Sequence, residues 1–357
     1  MQKIALVAAR ADLRERDTVP HTPFLVALAD ALRATGQDVT VYVKNEDRRP
    51  TPVGHDIRVV ALKGRFGATL ADALRTDRPD VVHAHNAAVW RAAADAAREL
   101  DVPFVYSLHD GGTDLAPVHA ADHVVVSFAA QLRTLLKLGV PRHKVTVVPY
   151  GVDVDHFTPD GSPADPGPLR NRIVVLGDLT PSSGFATPVA ALGALPDTEL
   201  VIVGGPRSGA HARKLRDYAR SLGVAGRLRL AGPVPRTDLP ELLRSADLVV
   251  CSPWEPVFGV SALEAMACGV AVVANRIGGL VDTVVDAVTG THVTPRRPRE
   301  LAATLQRLLH HPTLLEQQGA AGRDRAWARY SWQRIAADTT HAYRRAGVVD
   351  PSLLARP

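Results

Sequence analysis

The 357-residue sequence predicts an α/β protein built from two doubly wound parallel sheets, each covered by helices on both faces. Three observations carry that expectation. Short β-branched runs alternate with longer segments of helical apolar period along the whole chain. Near the middle the stretch Asp160-Gly161-Ser162-Pro163-Ala164-Asp165-Pro166-Gly167-Pro168 interrupts the alternation with turn residues and nothing but alanine to bury, after which the same series begins again. With 46% hydrophobic and 22% charged residues, a chain of this length has material for two cores.

The first series opens with a strand over Lys3 to Ala8, a helix over Pro23 to Thr35 and a strand over Asp38 to Val43. Val81 to Ala84 is the next strand, followed by a helix ending at Leu100, then strands at Phe104 to Leu108 and His123 to Ser127. A helix over Ala129 to Leu138 and a strand over Val145 to Val148 close it. The second series has strands at Arg172 to Leu176, Glu199 to Val203, Leu228 to Ala231, Leu248 to Cys251, Val270 to Ala274 and Gly290 to Val293. Its helices fall around Thr187 to Leu195, Ala210 to Leu222, Asp238 to Ala246, Glu300 to His310 and Leu314 to Ala328. In such sheets ligands bind beyond the carboxyl ends of the strands, so the expected site is the cleft that two such domains present to each other.

Composition narrows the function classes. The +5 formal charge comes from 42 Lys+Arg against 37 Asp+Glu, scattered over helix faces without a basic block or interleaved aromatics, which argues against nucleic-acid binding. Cys251 and Cys268 both sit in apolar runs and make no disulfide framework, as expected of a reducing compartment. The apolar run from Ile4 to Ala9 is too short for a signal-peptide core or a membrane span. A cytoplasmic protein with at most peripheral membrane contact is the expectation; oligomeric state is not readable.

The most informative stretch runs from Pro253 to Gly269. A turn containing Pro256 and Gly259 delivers the chain into an apolar helix starting near Val260, where unsatisfied N–H groups can receive phosphate oxygens. Glu264 follows about one turn later, placed to accept hydrogen bonds from ribose hydroxyls. Ala-Leu-Glu-Ala-Met-Ala is also what any buried helix looks like.

With these residues laid out, the chain resembles the retaining, metal-independent glycosyltransferases of GT-B fold, the group that includes glycogen synthase-like and mannosyltransferase enzymes. The resemblance spans nearly the whole length. It rests on Pro79-Asp80-Val81-Val82-His83-Ala84-His85, on Val148-Pro149-Tyr150-Gly151-Val152-Asp153 with Phe157, on Val201-Ile202-Val203-Gly204-Gly205-Pro206, on the Pro253 to Gly269 stretch, and on Gly278-Gly279-Leu280-Val281-Asp282 with Thr289-Gly290. It implies two Rossmann-like domains facing across a cleft: 1–158, with a Trp-containing helix at about 330–357 crossing back to it, and a donor domain at 159–329. It implies a nucleotide-sugar donor as co-substrate, a small-molecule acceptor, no further cofactor and no metal.

The resemblance also assigns residues. His109 occupies the place of a histidine close to the donor sugar; its bland alternative is a strand-end histidine capped by Asp110. His83 and His85 read as structural or cleft-lining. Glu264 matches the ribose-binding glutamate, and Phe258, Gly259, Val260 and Ser261 would offer backbone N–H groups to the diphosphate. Gly204 and Val234 would line the donor, the latter in Gly232-Pro233-Val234 where bases are recognised by backbone groups. Asp282 stands where many members have glutamate, or caps the following helix. Asn86 and the first-loop residues Arg10, Arg14 and His21 are the acceptor-side candidates.

Three departures from the family pattern stand beside these matches. Where the family has Gly-Arg-Leu, three residues and Lys-Gly, this chain reads Gly177-Asp178-Leu179-Thr180-Pro181-Ser182-Ser183-Gly184, so Asp178 and Ser183 replace two diphosphate-gripping cations. Losing two charge-assisted hydrogen bonds weakens a diphosphate by about two to four orders of magnitude unless something substitutes. Glu255, the candidate for the family's first glutamate, lies one residue farther from Glu264 than the family spacing, and Pro256 takes the usual position. The family's Gly-Gly loop near the amino terminus is Asp17-Thr18-Val19-Pro20-His21 here, with Arg10 and Arg14 as candidate replacement cations. The expected activity is therefore sugar transfer from a nucleotide-diphosphate donor, with a specialised enzyme in view. The alternatives are a catalytically impaired protein of the same fold serving as a partner subunit, and a sugar-nucleotide epimerase or hydrolase, for which no acid/base carboxylate pair is evident.

Overall fold

The computed structural model describes residues 1–9, 24–44, 57–109, 115–165 and 167–348. The chain divides into two compact units; the second is Val152–Ser331, and the first ends its main segment at Gly151 and resumes at Trp332. The unit boundary thus falls at Gly151/Val152 rather than after residue 158. The turn-rich Asp160 stretch belongs inside the second unit.

In the first unit, β1 (Lys3–Ala9), β2 (Asp38–Lys44), β3 (Arg58–Leu62), β4 (Val81–Ala84), β5 (Phe104–Leu108), β6 (His123–Val126) and β7 (Val145–Val147) form one sheet of order β3-β2-β1-β4-β5-β6-β7. Every pairing is parallel. Alternate residues of β1 serve opposite faces, as a strand covered on both sides requires. Ile4, Leu6 and Ala8 pack with α1 (Phe24–Ala34) and α13 (Trp332–Arg345), whereas Ala5 and Val7 pack with α2 (Phe66–Asp77) and α3 (Trp90–Leu100). The helices α4 (Ala116–Ala120) and α5 (Ala129–Lys137) complete the unit.

The second unit repeats the plan. Its strands β8 (Asn171–Leu176), β9 (Thr198–Val203), β10 (Leu228–Gly232), β11 (Leu248–Cys251), β12 (Ala271–Asn275) and β13 (Thr291–Val293) lie in the order β10-β9-β8-β11-β12-β13, all parallel. Between and after them come α6 (Ala186–Ala191), α7 (Ala210–Ser221), α8 (Leu239–Arg244), α9 (Val260–Ala267), α10 (Leu280–Thr283), α11 (Pro298–Leu309) and α12 (Pro312–Tyr330). The Asp160 stretch is tied down rather than extended: Ala164 N–H donates to the Glu241 carbonyl at 2.9 Å, and Arg244 donates to the carbonyls of Ser162 and Thr158. Arg172, 3% exposed, donates to the Asp165 carbonyl and to the Glu199 carboxylate, so this loop is anchored by a buried cation.

Four elements lie outside the expected series: β3, α2, α4 and the four-residue α10. β3 is a sheet edge whose residues are mostly half-buried or exposed, so its apolar demand is weak. Among the described residues, no helix is long and apolar enough to cross a membrane.

Candidate functional site

Strand order reverses between β1 and β4 in the first unit and between β8 and β11 in the second, and loops leaving the carboxyl ends at such switch points form ligand crevices in doubly wound folds. Each unit places chemistry-bearing side chains there.

In the first unit the switch point holds histidines. His83 lies in β4 and His85 directly after it, their rings 4.0 Å apart. His83 bonds Ser107 Oγ through Nε2 at 2.8 Å and the hydroxyl of Tyr343 through Nδ1 at 2.9 Å. It is 1% exposed, and burial, with nearby His109 and His123 adding to it, pushes its pKa down to about 3. His85, also buried, is held well below the ordinary imidazole range by burial first and its histidine neighbours second. Both rings are therefore neutral at pH 7. His109, directly after β5, joins them: its Nε2 lies 3.3 Å from His85 Nδ1 and its Nδ1 lies 3.0 Å from the Tyr150 hydroxyl. Each ring nitrogen of His109 thus has a partner, and the row Tyr150–His109–His85 holds the ring in place from both sides. Phe24 covers the row, its ring 4.5 Å from Tyr150 and 5.3 Å from His109. Asn86 caps the loop that follows β4, its Oδ1 accepting from Ala88 N–H at 3.0 Å.

In the second unit the switch point is a clamp of two loops. Trp254 N–H donates to the Ser182 carbonyl at 2.8 Å, and a Cβ added at Gly184 would meet the Ser252 carbonyl oxygen at 1.9 Å. Only glycine fits there, and its φ of 72° lies in the left-handed region. Within the first of these loops Ser183 Oγ donates to the Asp178 carbonyl, and Thr180 Oγ1 lies 3.0 Å from Ser183 Oγ and 3.1 Å from Ser182 Oγ. The hydroxyls thus close the loop on itself. Gly204 lies in a left-handed turn after β9, its N–H bonded to the Gly232 carbonyl at 2.9 Å, which fixes the backbone beside Val234.

α9 starts as its sequence predicts. Gly259 takes φ 90° and ψ 50°, turning the chain into the helix so that the first N–H groups face away from the intrahelical ladder. Phe258 is buried, and Ser261 Oγ sits 3.7 Å from Cys251 Sγ. Burial pushes both thiols, Cys251 and Cys268, up to about 12, so neither is a nucleophile. Glu264 is 1% exposed and its Oε1 accepts from Arg236 Nη1 at 3.0 Å. The Arg236 guanidinium stands 4.7 Å over the fully buried Phe157 ring, and its carbonyl accepts from His156 Nε2 at 3.0 Å. Asp282 lies within α10, where its carbonyl accepts from Arg325 at 2.7 Å and Tyr330 at 3.1 Å.

The second unit therefore gathers Phe258, Gly259, Val260, Ser261, Glu264, Asp178 and Ser183 at one sheet edge, with exposed Glu255 between Trp254 and the helix. The first gathers His109 and Asn86. Arg10, Arg14 and His21 lie outside the described residues. Two residues missed in the sequence complete the picture: Arg236, whose pairing with Glu264 no local pattern announces, and Tyr150, which stood in a quoted motif without a role. Among the described residues no three His, Cys, Asp or Glu side chains are grouped to hold a metal ion.

Residues 167–325 match the family Glycosyl transferases group 1, and residues 23–156 match Glycosyltransferase Family 4. The D-inositol 3-phosphate glycosyltransferase of Kineococcus radiotolerans is 30% identical, over 90% of this chain and 89% of its own. The glycogen synthase of Mycobacterium tuberculosis is 31% identical over 75% and 69%. In fold, the chain is similar to sucrose-phosphate synthase from Thermosynechococcus elongatus, with TM-score 0.78, 23% identity and coverage of 97% and 99%. It is likewise similar to the HepE protein of Anabaena, solved with UDP, with TM-score 0.81, 21% identity and coverage of 96% and 100%.

Proposed function

The chain belongs to the group 1 glycosyltransferases of GT-B fold, and from that premise we propose that it moves a sugar from a nucleoside-diphosphate donor to a small hydroxyl or amine acceptor with retention of anomeric configuration, with no metal ion or further cofactor. The observation that carries the reading is the second unit's switch point: a helix start opened by left-handed Gly259, a buried Glu264 one turn in, and two loops clamped beside it. The N–H groups of Phe258 to Ser261 meet the diphosphate, and Glu264 accepts from the ribose hydroxyls.

In the transfer step the bond from the anomeric carbon to the β-phosphate oxygen breaks and a bond from that carbon to the acceptor oxygen or nitrogen forms on the same face. The acceptor proton passes to an oxygen of the departing diphosphate. His109, held in place by Tyr150 and His85, is the first unit's group nearest the reacting sugar and stabilises charge as it develops. Glu255 orients the sugar hydroxyls, and Asn86, Arg10, Arg14 and His21 serve the acceptor side. A cation-free Gly177–Gly184 loop suits a specialised donor. It equally suits the rival reading, a catalytically impaired partner subunit.

Calorimetry with UDP, GDP, dTDP and ADP separates the two. The transferase reading expects at least one to bind at micromolar to millimolar concentration, with UDP tried first because HepE was solved with it. No heat from any of the four at millimolar concentration would sink it.

A further inference from the structure

The diphosphate subsite poses a charge problem. The loop from Gly177 to Gly184 carries no cation, and its hydroxyl groups are spent on one another. Around the same sheet edge Arg236 is committed to Glu264, Arg276 to Asp286 at 3.0 Å, and Arg325 to the carbonyls of Asp282 and Thr283. Arg296 is different. It is exposed, and its guanidinium has neither an ion pair nor a hydrogen bond among the described residues. The guanidinium lies over the Trp254 ring, with Cζ 4.6 Å from the centroid.

That contact places Arg296. It lies three residues beyond β13, which is two strands from β11 in the sheet, a distance of about 9.6 Å. To stack on Trp254, which follows β11, the side chain has to lean back across the edge toward the switch point. The backbone assists with a left-handed φ of 60°, a conformation that a non-glycine residue holds only at a cost. The ring beneath is itself fixed against the cation-free loop. Trp254 N–H donates to the Ser182 carbonyl, its indole Nε1–H donates to Thr187 Oγ1 at 3.4 Å, and a Cβ at Gly184 would lie 2.8 Å from the indole edge. Asn275 Nδ2 donates to the Pro253 carbonyl at 2.8 Å, and Arg276 N–H donates to the Val293 carbonyl at 2.9 Å, so the loops after β11, β12 and β13 are stitched together. Stacking engages the face of a guanidinium and leaves its in-plane N–H donors for an oxyanion.

We propose that Arg296, held on Trp254, is the cation that grips the donor diphosphate in place of the arginine and lysine replaced by Asp178 and Ser183. The assignment rests on the donor reading above. It makes diphosphate affinity depend on a residue from the far side of the sheet rather than on the loop after β8.

The test compares a nucleoside diphosphate with its parent nucleoside, using whichever of UDP, GDP, dTDP and ADP the wild-type protein binds. Arg296→Gln, which keeps the bulk and loses the charge, should weaken the diphosphate about 10- to 100-fold. It should leave the nucleoside within about twofold. Arg296→Lys should recover part of the loss, and Arg299→Gln, an exposed control on α11, should match the wild type. Equal losses for diphosphate and nucleoside would mean that Arg296 merely shapes the pocket, and unchanged affinity would remove it from the site; either result overturns the assignment alone. A wild-type protein that binds none of the four overturns the donor reading, and this assignment with it.

Discussion

The two switch points solve the same topological problem with opposite chemistry. In the first unit the carboxyl edge is lined by rings bonded side chain to side chain, Tyr150 to His109 to the neutral His85, with neutral His83 and Tyr343 behind them. In the second it is lined by backbone, shaped by Gly184 and Gly259, with one deeply buried ion pair beneath. Imidazoles held in a fixed row suit hydrogen-bond and proton work at a reacting centre. Amides at a helix start suit a ligand whose charge is fixed. The difference teaches that a duplicated architecture sets where a ligand lies, while the burial of a few titratable groups sets what can be done to it.

Breaking the second unit's side of this contrast should give the largest effect. Arg236→Ala takes the guanidinium from a carboxylate that is 1% exposed, and should cost about 3–5 kcal/mol in urea denaturation. A loss below about 1 kcal/mol would put the pair in the class of solvent-screened surface bridges.

Acid should next separate the units. His83 and His123 are held at about 3 and about 4 in the folded chain, below the ordinary imidazole value, so between those values and about 6.5 the unfolded chain binds more protons. Their contribution is fully present above about pH 6.5 and is lost as pH falls toward the folded values. At pH 5 each histidine should have cost about 2 kcal/mol relative to pH 7.5. The measurement is denaturant unfolding across that range, with the loss falling on the first unit. A flat profile would mean that the rings are hydrated in solution.

The smallest change sharpens the first unit's role. Tyr150→Phe removes one hydrogen bond to His109 and should cost about 1 kcal/mol in stability. It should lower kcat about tenfold with little change in donor KM, and shift the pH–rate profile, because His109 loses the hydrogen-bond partner that holds its ring. A kcat and profile equal to wild type would leave Tyr150 as packing alone.

Most of the fold was legible because strands buried on both faces must be continuously apolar, as Ile4 to Ala8 and Leu248 to Cys251 are. β3 escaped because an edge strand can leave Arg58 and Ala61 to solvent, and α4 because five residues are too few to show a period. The start of α9 and Glu264 were legible from spacing. Arg236 was not: it is 28 residues from Glu264 and opens a three-residue 3-10 turn, where nothing local selects a partner. The contact from His83 to Tyr343 spans 260 residues and exists only once α13 has packed on the sheet. Spacing reveals what one element does to itself, and pairings between elements need the fold.

The chain passes into the second unit at Val152 and out at Ser331, and these two residues are bridge partners, with Val152 N–H bonded to the Tyr330 carbonyl at 2.8 Å. The 152–331 segment is thus an insert whose two ends already meet. Joining the two ends of the 152–331 segment in a circular permutant should therefore leave its strands unstretched. The first unit, by contrast, depends on chain that returns only after the insert is complete: α13 supplies Ile335, Ala336, Ala342 and Tyr343 to its core. During synthesis the insert can finish folding while its host still waits for its last helix.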